Sequence, residues 1–190
     1  SNLNMLDLSH LPANQFGYVL MAEETYDPPT TPLDENGQGN PYAVYGYGVH
    51  LVELTVDTEL GKICIDHITA AHDVGRAINP NLIEGQIEGG IAQGIGLALM
   101  EEYKPFQTEN LHDYLIPTSG DIPKIDTIII EEPDWVSPHG VKGLGEHVLI
   151  PTAPAILNAI RYATGAIVKD LPATPDKVFR AIQEVKNTNE

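Results

Sequence analysis

The chain has 190 residues, 42% hydrophobic and 19% charged, which suits one packed domain or one lobe of a larger one. A net charge of −17 argues against binding to nucleic-acid phosphates or anionic membrane surfaces. The single cysteine, Cys64, excludes an internal disulfide and a cysteine cluster for zinc or iron–sulfur. Because the sequence shows no long apolar run and no signal peptide, we expect a cytoplasmic protein.

The N-terminal part of the sequence predicts extended structure and a long loop. Residues 1–15 are mixed and interrupted by proline, and we expect an extended lead-in. Alternation of side chains predicts a strand over 16–26. Several prolines and glycines then predict a loop over 27–40.

A β-hairpin is predicted next. The longest strand candidate covers 42–57, where Val52, Leu54 and Val56 share one face. A tight turn over 59–62 returns the chain as a second strand over 63–71.

Three helices and one more strand follow. Asn79 suits a helix cap and Pro80 the first helical position. A four-residue repeat then predicts a buried stripe, formed by Ile83, Ile87, Ile91, Ile95 and Leu99. We expect a strand over 125–131 and helices that begin at Thr152, as a capping residue, and at Thr174-Pro175. The element order predicts an α+β fold, a mixed sheet with helices packed on one face.

The first helix contains five glycines between residues 85 and 96, although each costs about 1 kcal/mol relative to alanine. Gln86, Gly90, Gln93 and Gly94 lie close together on the helical wheel. Such a face allows close approach to the backbone and offers amide groups. Packing against another element is the simpler explanation, and a nucleotide-binding fingerprint fits poorly because the glycines lie inside the helix.

A glycine-rich loop over 139–146 ends in Glu146, just before three apolar residues. Apolar neighbours predict partial shielding from water, and a shielded carboxylate is a better base near neutral pH. A surface turn with a solvated glutamate is the alternative.

Residues 71–80 contain His72-Asp73 and Arg76. His67 and His72 are five residues apart on a strand, so they point to opposite faces and are expected to form hydrogen bonds, not a metal site. Asp73 and Arg76 are expected to pair.

Taken together, residues 71–80, 84–96 and 142–146 resemble the molybdopterin-binding subunit of the xanthine dehydrogenase/aldehyde oxidase family. The motifs occur in the family's order and rough spacing, and the resemblance covers about 42–182. It implies one C-terminal lobe, residues 1–190, of a larger molybdopterin-binding domain in a molybdenum hydroxylase.

The resemblance also implies roles for four residues. Glu146 matches the general base, Gln86 matches the glutamine that hydrogen-bonds the cofactor, and Lys142 and Gly143 lie where the chain runs beside it. The implied cofactor is molybdenum-molybdopterin, with no metal ligand in this chain. The implied partners are the rest of the subunit and domains or subunits that carry iron–sulfur clusters and FAD. The substrate is a purine, an aldehyde or an N-heterocycle.

Two departures and two alternatives complete the predictions. His147 stands where many relatives have proline and is expected to fill space, and the acidic, proline-rich loop over 26–40 is distinctive. A non-catalytic assembly module that uses the glycine face only for packing is the main alternative. A reductase of the same family is not distinguished by these residues. Since a lone lobe exposes apolar surface, we expect self-association of the isolated chain.

Overall fold

The computed structural model describes residues 9–188, which form a small α+β fold. Its strands are β1 (Tyr47–Asp57), β2 (Lys62–Asp73) and β3 (Lys124–Ile130). Its helices are α1 (Pro80–Leu99), α2 (Thr152–Thr164) and α3 (Pro175–Thr188), with short 3-10 helices at Pro138–Gly140 and Glu146–Leu149. No helix in this described range is long and apolar enough to cross a membrane.

The three strands form one mixed sheet in the order β1-β2-β3. β1 and β2 are antiparallel, and Gly61 closes their turn with a φ of 68°, a backbone angle that suits glycine. β3 runs parallel to β2 because the chain crosses over through α1 before it returns to the sheet. The predicted hairpin is confirmed, although β1 begins at Tyr47 and not at residue 42.

Helices cover only one face of the sheet. On that inner face Val52, Leu54 and Val56 pack against the hydrophobic core. On the outer face Val49 and Leu51 are exposed, the latter at 62%. Apolar side chains gain stability only where another layer removes them from water, so the alternation along β1 defines the inner face. The predicted mixed sheet with helices on one face is confirmed.

Helix α1 follows its sequence signals closely. The Asn79 side chain accepts a hydrogen bond from the Leu82 backbone N–H at 3.2 Å, and Pro80 lies in the first turn. Three isoleucines of the predicted stripe, Ile87, Ile91 and Ile95, are buried. Each fully buried isoleucine contributes about 1.5–3 kcal/mol, so this stripe anchors α1 to the sheet.

A second face of α1 is buried through glycine. A methyl group at Gly90 would lie 2.9 Å from the Val148 Cβ, and one at Gly94 would lie 2.5 Å from the Thr152 Cβ. The absence of side chains therefore lets the 3-10 helix Glu146–Leu149 and the start of α2 approach the α1 backbone. Packing is thus the reason for these two glycines.

The predicted strand over 16–26 is wrong. The segment forms no strand, and its apolar side chains are exposed, with Phe16 at 66% and Leu20 at 63%. Alternation favours a strand only where a neighbouring strand supplies hydrogen bonds, and the described residues supply none here. The loop over 27–40 is confirmed. Residues 9–15 contain no helix or strand, and the rest of the predicted lead-in lies outside the described residues.

Thr152 starts α2 as predicted but does not cap it. The residue before the helix is Pro151, and the Thr152 hydroxyl bonds His50 Nδ1 at 3.1 Å instead. The hydroxyl is fully buried on the sheet side, so a ring nitrogen is its available partner. Gly165 ends α2 with a φ of 73°, and α3 begins at Pro175, the latter as predicted.

The two kinds of α1 glycine should respond oppositely to alanine. Gly94→Ala should lower the free energy of unfolding by about 1–3 kcal/mol, because its methyl group overlaps Thr152. Gly89→Ala should raise it by up to about 1 kcal/mol, because nothing lies within 4 Å and alanine favours the helix. Urea unfolding followed by circular dichroism measures both. Equal shifts for the two variants would refute the packing of Gly94 on Thr152.

Candidate functional site

A cleft of about 390 Å³ lies between the first turns of α1 and the segment 141–144. Three predicted cofactor-binding residues line it together: Gln86, Lys142 and Gly143. Apolar side chains such as Leu82 and Leu144 form much of the remaining wall. Concave, mainly apolar sites with a few polar groups are typical of ligand and cofactor binding.

The segment 140–142 is held to the end of β2 by backbone hydrogen bonds. The Lys142 N–H donates to the Val74 carbonyl, and the Arg76 N–H donates to the Gly140 carbonyl, both at 2.9 Å. Gly75 lies between them with a φ of 66°, and a Cβ there would overlap the Gly140 carbonyl oxygen. The turn after β2 therefore fixes the wall of the cleft.

A buried ion pair completes this attachment. The Lys142 Nζ lies 2.5 Å from Asp73 Oδ2, with side chains 7% and 9% exposed. Burial by itself raises the pKa of Asp73, but the hydrogen bonds from Lys142 and the Gly75 N–H outweigh it and lower that pKa. The hydrogen bond with Asp73 likewise raises the pKa of Lys142. The pair stays charged near neutral pH.

This pairing changes two sequence predictions. Asp73 pairs with Lys142 and not with Arg76, because the loop 69 residues further along the chain returns to the end of β2. The charged end of the Lys142 side chain is therefore occupied by its ion pair with Asp73. Lys142 and Gly143 together form part of the cleft wall.

Gln86 lies on an open part of α1. Its side chain is exposed, and Gly85 and Gly89 beside it have nothing within 4 Å of a built Cβ. Unlike Gly90 and Gly94, these two glycines have no packing partner in the described chain. A flat polar group has room to approach the helix backbone here and to hydrogen-bond the amide.

Glu146 opens the 3-10 helix Glu146–Leu149, directly after the glycine-rich loop. It is exposed and does not line the cleft of Gln86. The expected partial shielding from water is wrong for this chain alone. Val148, two residues later, is fully buried against Gly90, so this side chain turns into the core while the carboxylate remains outside.

The residue after Glu146 belongs to a group that the sequence analysis did not foresee. The His147 ring lies 5.5 Å from the His72 ring, whose own Nε2 is 2.8 Å from His50 Nε2. His50, His72 and His147 are called the histidine cluster below. Alternation along β1 places position 50 on the inner face with Val52 and Leu54, whereas position 72 reaches that face only through the irregular register between β1 and β2. No sequence signal links either position to position 147.

The faces of the two β2 histidines are as predicted. His72 is fully buried on the inner face, whereas His67 faces outward and bonds Asp126 at 2.9 Å. Within residues 9–188, no three or more His, Cys, Asp or Glu side chains are arranged to hold a metal ion.

Comparison with known proteins identifies the family. The model of the molybdopterin cofactor-binding domain matches residues 6–123, more than half of the chain, so the chain belongs to this family. The matched range contains Gln86 but ends before Lys142, Gly143 and Glu146.

Individual relatives agree with this assignment. A putative xanthine dehydrogenase molybdenum-binding subunit of Escherichia coli K12 is 41% identical over 139 residues, 70% of this chain and 18% of the relative. An aldehyde oxidoreductase of Megalodesulfovibrio gigas is 40% identical over 152 residues, 77% of this chain and 16% of the relative. The predicted resemblance to xanthine dehydrogenases and aldehyde oxidases is confirmed.

A solved structure extends the likeness to the fold. The aldehyde oxidoreductase from Desulfovibrio gigas superposes with a TM-score of 0.78 and 39% identity, over 81% of this chain and 17% of that one. The chain therefore spans less than a fifth of the length of these relatives.

Removal of the charge of Asp73 should test the attachment of the cleft wall. Asp73→Asn keeps an acceptor for Gly75 but leaves Lys142 buried without a counter-charge, so the free energy of unfolding should fall by about 3 kcal/mol. Asp126→Asn is the matched control, because Asp126 forms an exposed pair with Lys124 on the same sheet. Denaturant unfolding measures both variants, and similar small losses would contradict a buried pair.

Proposed function

We propose that this chain is the C-terminal lobe of a molybdenum hydroxylase subunit, which oxidatively hydroxylates a purine, an aldehyde or an N-heterocycle. In this proposal the lobe forms one wall of the molybdopterin site and supplies the general base, Glu146. The observation that carries it is the meeting of Gln86 with Lys142 and Gly143 at one cleft, on the loop that continues to Glu146. Gln86 lies 56 residues before Lys142 in the sequence.

The donors in the cleft fit a planar, polar cofactor. The Gln86 amide offers both a hydrogen-bond donor and an acceptor, which suits the edge of a pterin ring. The open backbone at Gly85 and Gly89 leaves room for that ring, at a cost of about 1 kcal/mol each relative to alanine. The apolar wall around Leu82 and Leu144 excludes water from one side. The open helix backbone, the Gln86 amide and the apolar wall of the cleft thus fit the cofactor.

The base assignment rests on the position of Glu146 and on the resemblance of its loop. The bound molybdenum cofactor would supply a two-electron oxidation of the substrate. Glu146 would accept the proton that this reaction releases, and the neighbouring glycines leave space for substrate beside the carboxylate. Because Glu146 is exposed in this chain, the shielding that a base needs must come from the rest of the subunit.

The outer face of the sheet fits a lobe that is part of a larger assembly. Val49 and Leu51 on β1 and Ile128 and Ile130 on β3 are exposed there. Contiguous apolar surface of this kind is typical of an interface. We propose that the remainder of the subunit covers this outer face. Domains or subunits that carry iron–sulfur clusters and FAD would then accept the electrons. Self-association of the isolated chain and a cytoplasmic location stay predictions.

Glu146→Gln should separate the enzyme from a non-catalytic assembly module. In the complete, cofactor-loaded assembly we expect turnover to fall about 100- to 10,000-fold, because the amide cannot accept the proton. Molybdenum content and thermal stability should remain at wild-type values, because glutamine keeps the size of glutamate and Glu146 does not line the cofactor cleft. Steady-state kinetics with metal analysis measures both.

Glu59→Gln, in the exposed β1–β2 turn, is the matched control and should leave turnover unchanged. Wild-type turnover of Glu146→Gln would remove the base assignment and favour the assembly module.

Gln86→Ala should show whether the cleft holds the cofactor. We expect a several-fold loss of pterin and molybdenum in the purified assembly, because Gln86 supplies the side-chain amide with which α1 lines the cleft. Gln93→Ala, an exposed glutamine two turns further along the same helix and outside the cleft, should retain the cofactor. Elemental analysis and pterin fluorescence give the contents, and equal retention by both variants would place the cofactor elsewhere.

A further inference from the structure

The histidine cluster joins four elements at one buried point. His50 lies on β1, His72 on β2, and His147 on the 3-10 helix that Glu146 opens. The His50 and His72 rings are 5.0 Å apart, and the Thr152 hydroxyl at the start of α2 bonds His50 Nδ1. His147, the residue next to Glu146, therefore packs against His72. His72 is hydrogen-bonded to His50, and His50 to Thr152 at the start of α2.

Two glycines make room for these rings. A Cβ at Gly48 would overlap the His72 ring, and a Cβ at Gly46 would lie 3.1 Å from the His147 ring. The rings thus lie directly on the backbone of β1 and of the residues that lead into it. Such close packing removes much of the hydration shell that a charged imidazolium requires.

The hydrogen bonds of the cluster suit uncharged rings. Only one hydrogen fits between His50 Nε2 and His72 Nε2, so one ring donates and the other accepts. The Thr152 hydroxyl can donate to or accept from His50 Nδ1 and so adapts to either choice. Protonation of both rings would place a hydrogen on each Nε2, break that bond and bring two like charges together.

Neighbouring groups do not compensate a charge in the cluster. Burial, followed by repulsion from His72, lowers the pKa of His50 to about 4. Burial, followed by repulsion from His147, lowers the pKa of His72 to about 4, and burial lowers the pKa of His147. The positive end of α2 beside Thr152 acts in the same direction.

The remaining titratable or charged side chains on these strands and helices are exposed, or paired in the case of Asp73 and His67. They are Tyr47, Glu53 and Asp57 on β1, Lys62, Cys64, Asp66, His67 and Asp73 on β2, Glu84 and Glu88 on α1, Glu146 on the loop, and Arg161 and Tyr162 on α2. Asp73 follows His72 directly and points to the opposite face of the strand, where Lys142 holds it.

We propose that His50, His72 and His147 are positioning residues for Glu146, which hold its loop against the sheet while uncharged and release it when protonated. The role in positioning a base rests on the proposed function, whereas the pH-dependent hold concerns this chain alone. In this proposal His147 holds the loop, a role beyond the space filling that the sequence predicts.

The direction of the pH effect follows from the burial of the rings. Their pKa values in the folded chain lie below the ordinary value of about 6.5. Rings that are freed when the loop opens therefore bind protons at a higher pH than rings that stay packed. The hold is complete above about pH 6.5 and is lost as the pH falls towards about 4. An opening that frees one such ring is favoured about 30-fold more at pH 5 than at pH 7.5.

Hydrogen exchange in the complete, cofactor-loaded assembly tests this hold. The backbone amides of Val148 and Ile150 are bonded within the loop, to the carbonyls of Gly145 and His147. After correction for intrinsic exchange rates, protection of peptides covering 143–150 should fall at least tenfold from pH 7.5 to pH 5. In His72→Gln, which keeps a polar partner for His50, that fall should shrink below threefold.

His67→Gln is the matched control, because His67 lies on the same strand with its ring on the outer face, and it should keep the wild-type fall. Protection independent of pH in the wild type overturns the proposal, and that measurement needs no variant to fold. An equal response of His67→Gln and His72→Gln overturns it as well.

Kinetics separate this inference from the proposed function. His147→Gln should lower kcat about tenfold at pH 7.5, with KM within twofold and molybdenum content unchanged, because the base is displaced while the cofactor cleft is intact. An unchanged kcat in a fully loaded His147→Gln assembly overturns the positioning role. If Glu146→Gln itself turned over normally, the proposed function would fail, while the pH-dependent protection of the loop would still decide the hold.

Discussion

The buried ion pair between Asp73 and Lys142 is the constraint on which the arrangement of the site depends. It fixes the glycine-rich loop at the end of β2, and the backbone bonds around Gly75 set the register of that contact. From this point the loop continues to Glu146 and Val148, which then packs on α1. A charge pair removed from water is strongly destabilised when one partner is lost, so the loop has few alternative positions.

Helix α1 uses glycine for two different purposes, and the sequence does not distinguish them. Gly90 and Gly94 are buried against Val148 and Thr152, where any side chain would separate the elements. Gly85 and Gly89 face open space beside Gln86. The first pair is explained by packing within the chain. The second pair lowers helix stability without any internal compensation, which is expected where a ligand or another part of the subunit approaches.

The candidate site is open in the described part of the chain. The part of the chain that matches its relatives covers less than a fifth of their length. Glu146 is exposed and the outer face of the sheet exposes apolar side chains, since no layer formed by residues 9–188 covers them. The segment 16–26 has a strand-like pattern but no neighbouring strand among residues 9–188, and a strand is stable only when its backbone groups are paired.

The sequence by itself determined the hairpin, the α1 cap at Asn79, the isoleucine stripe, the fold class and the family, because these follow from local periodicity, capping and motif order. Only the tertiary structure decided that Asp73 pairs with Lys142, that Thr152 bonds a histidine instead of capping its helix, and that His147 joins His50 and His72. These contacts, between Asp73 and Lys142, His50 and Thr152, and His72 and His147, join residues 69 to 102 positions apart. No local pattern encodes which distant side chain will fill a buried space.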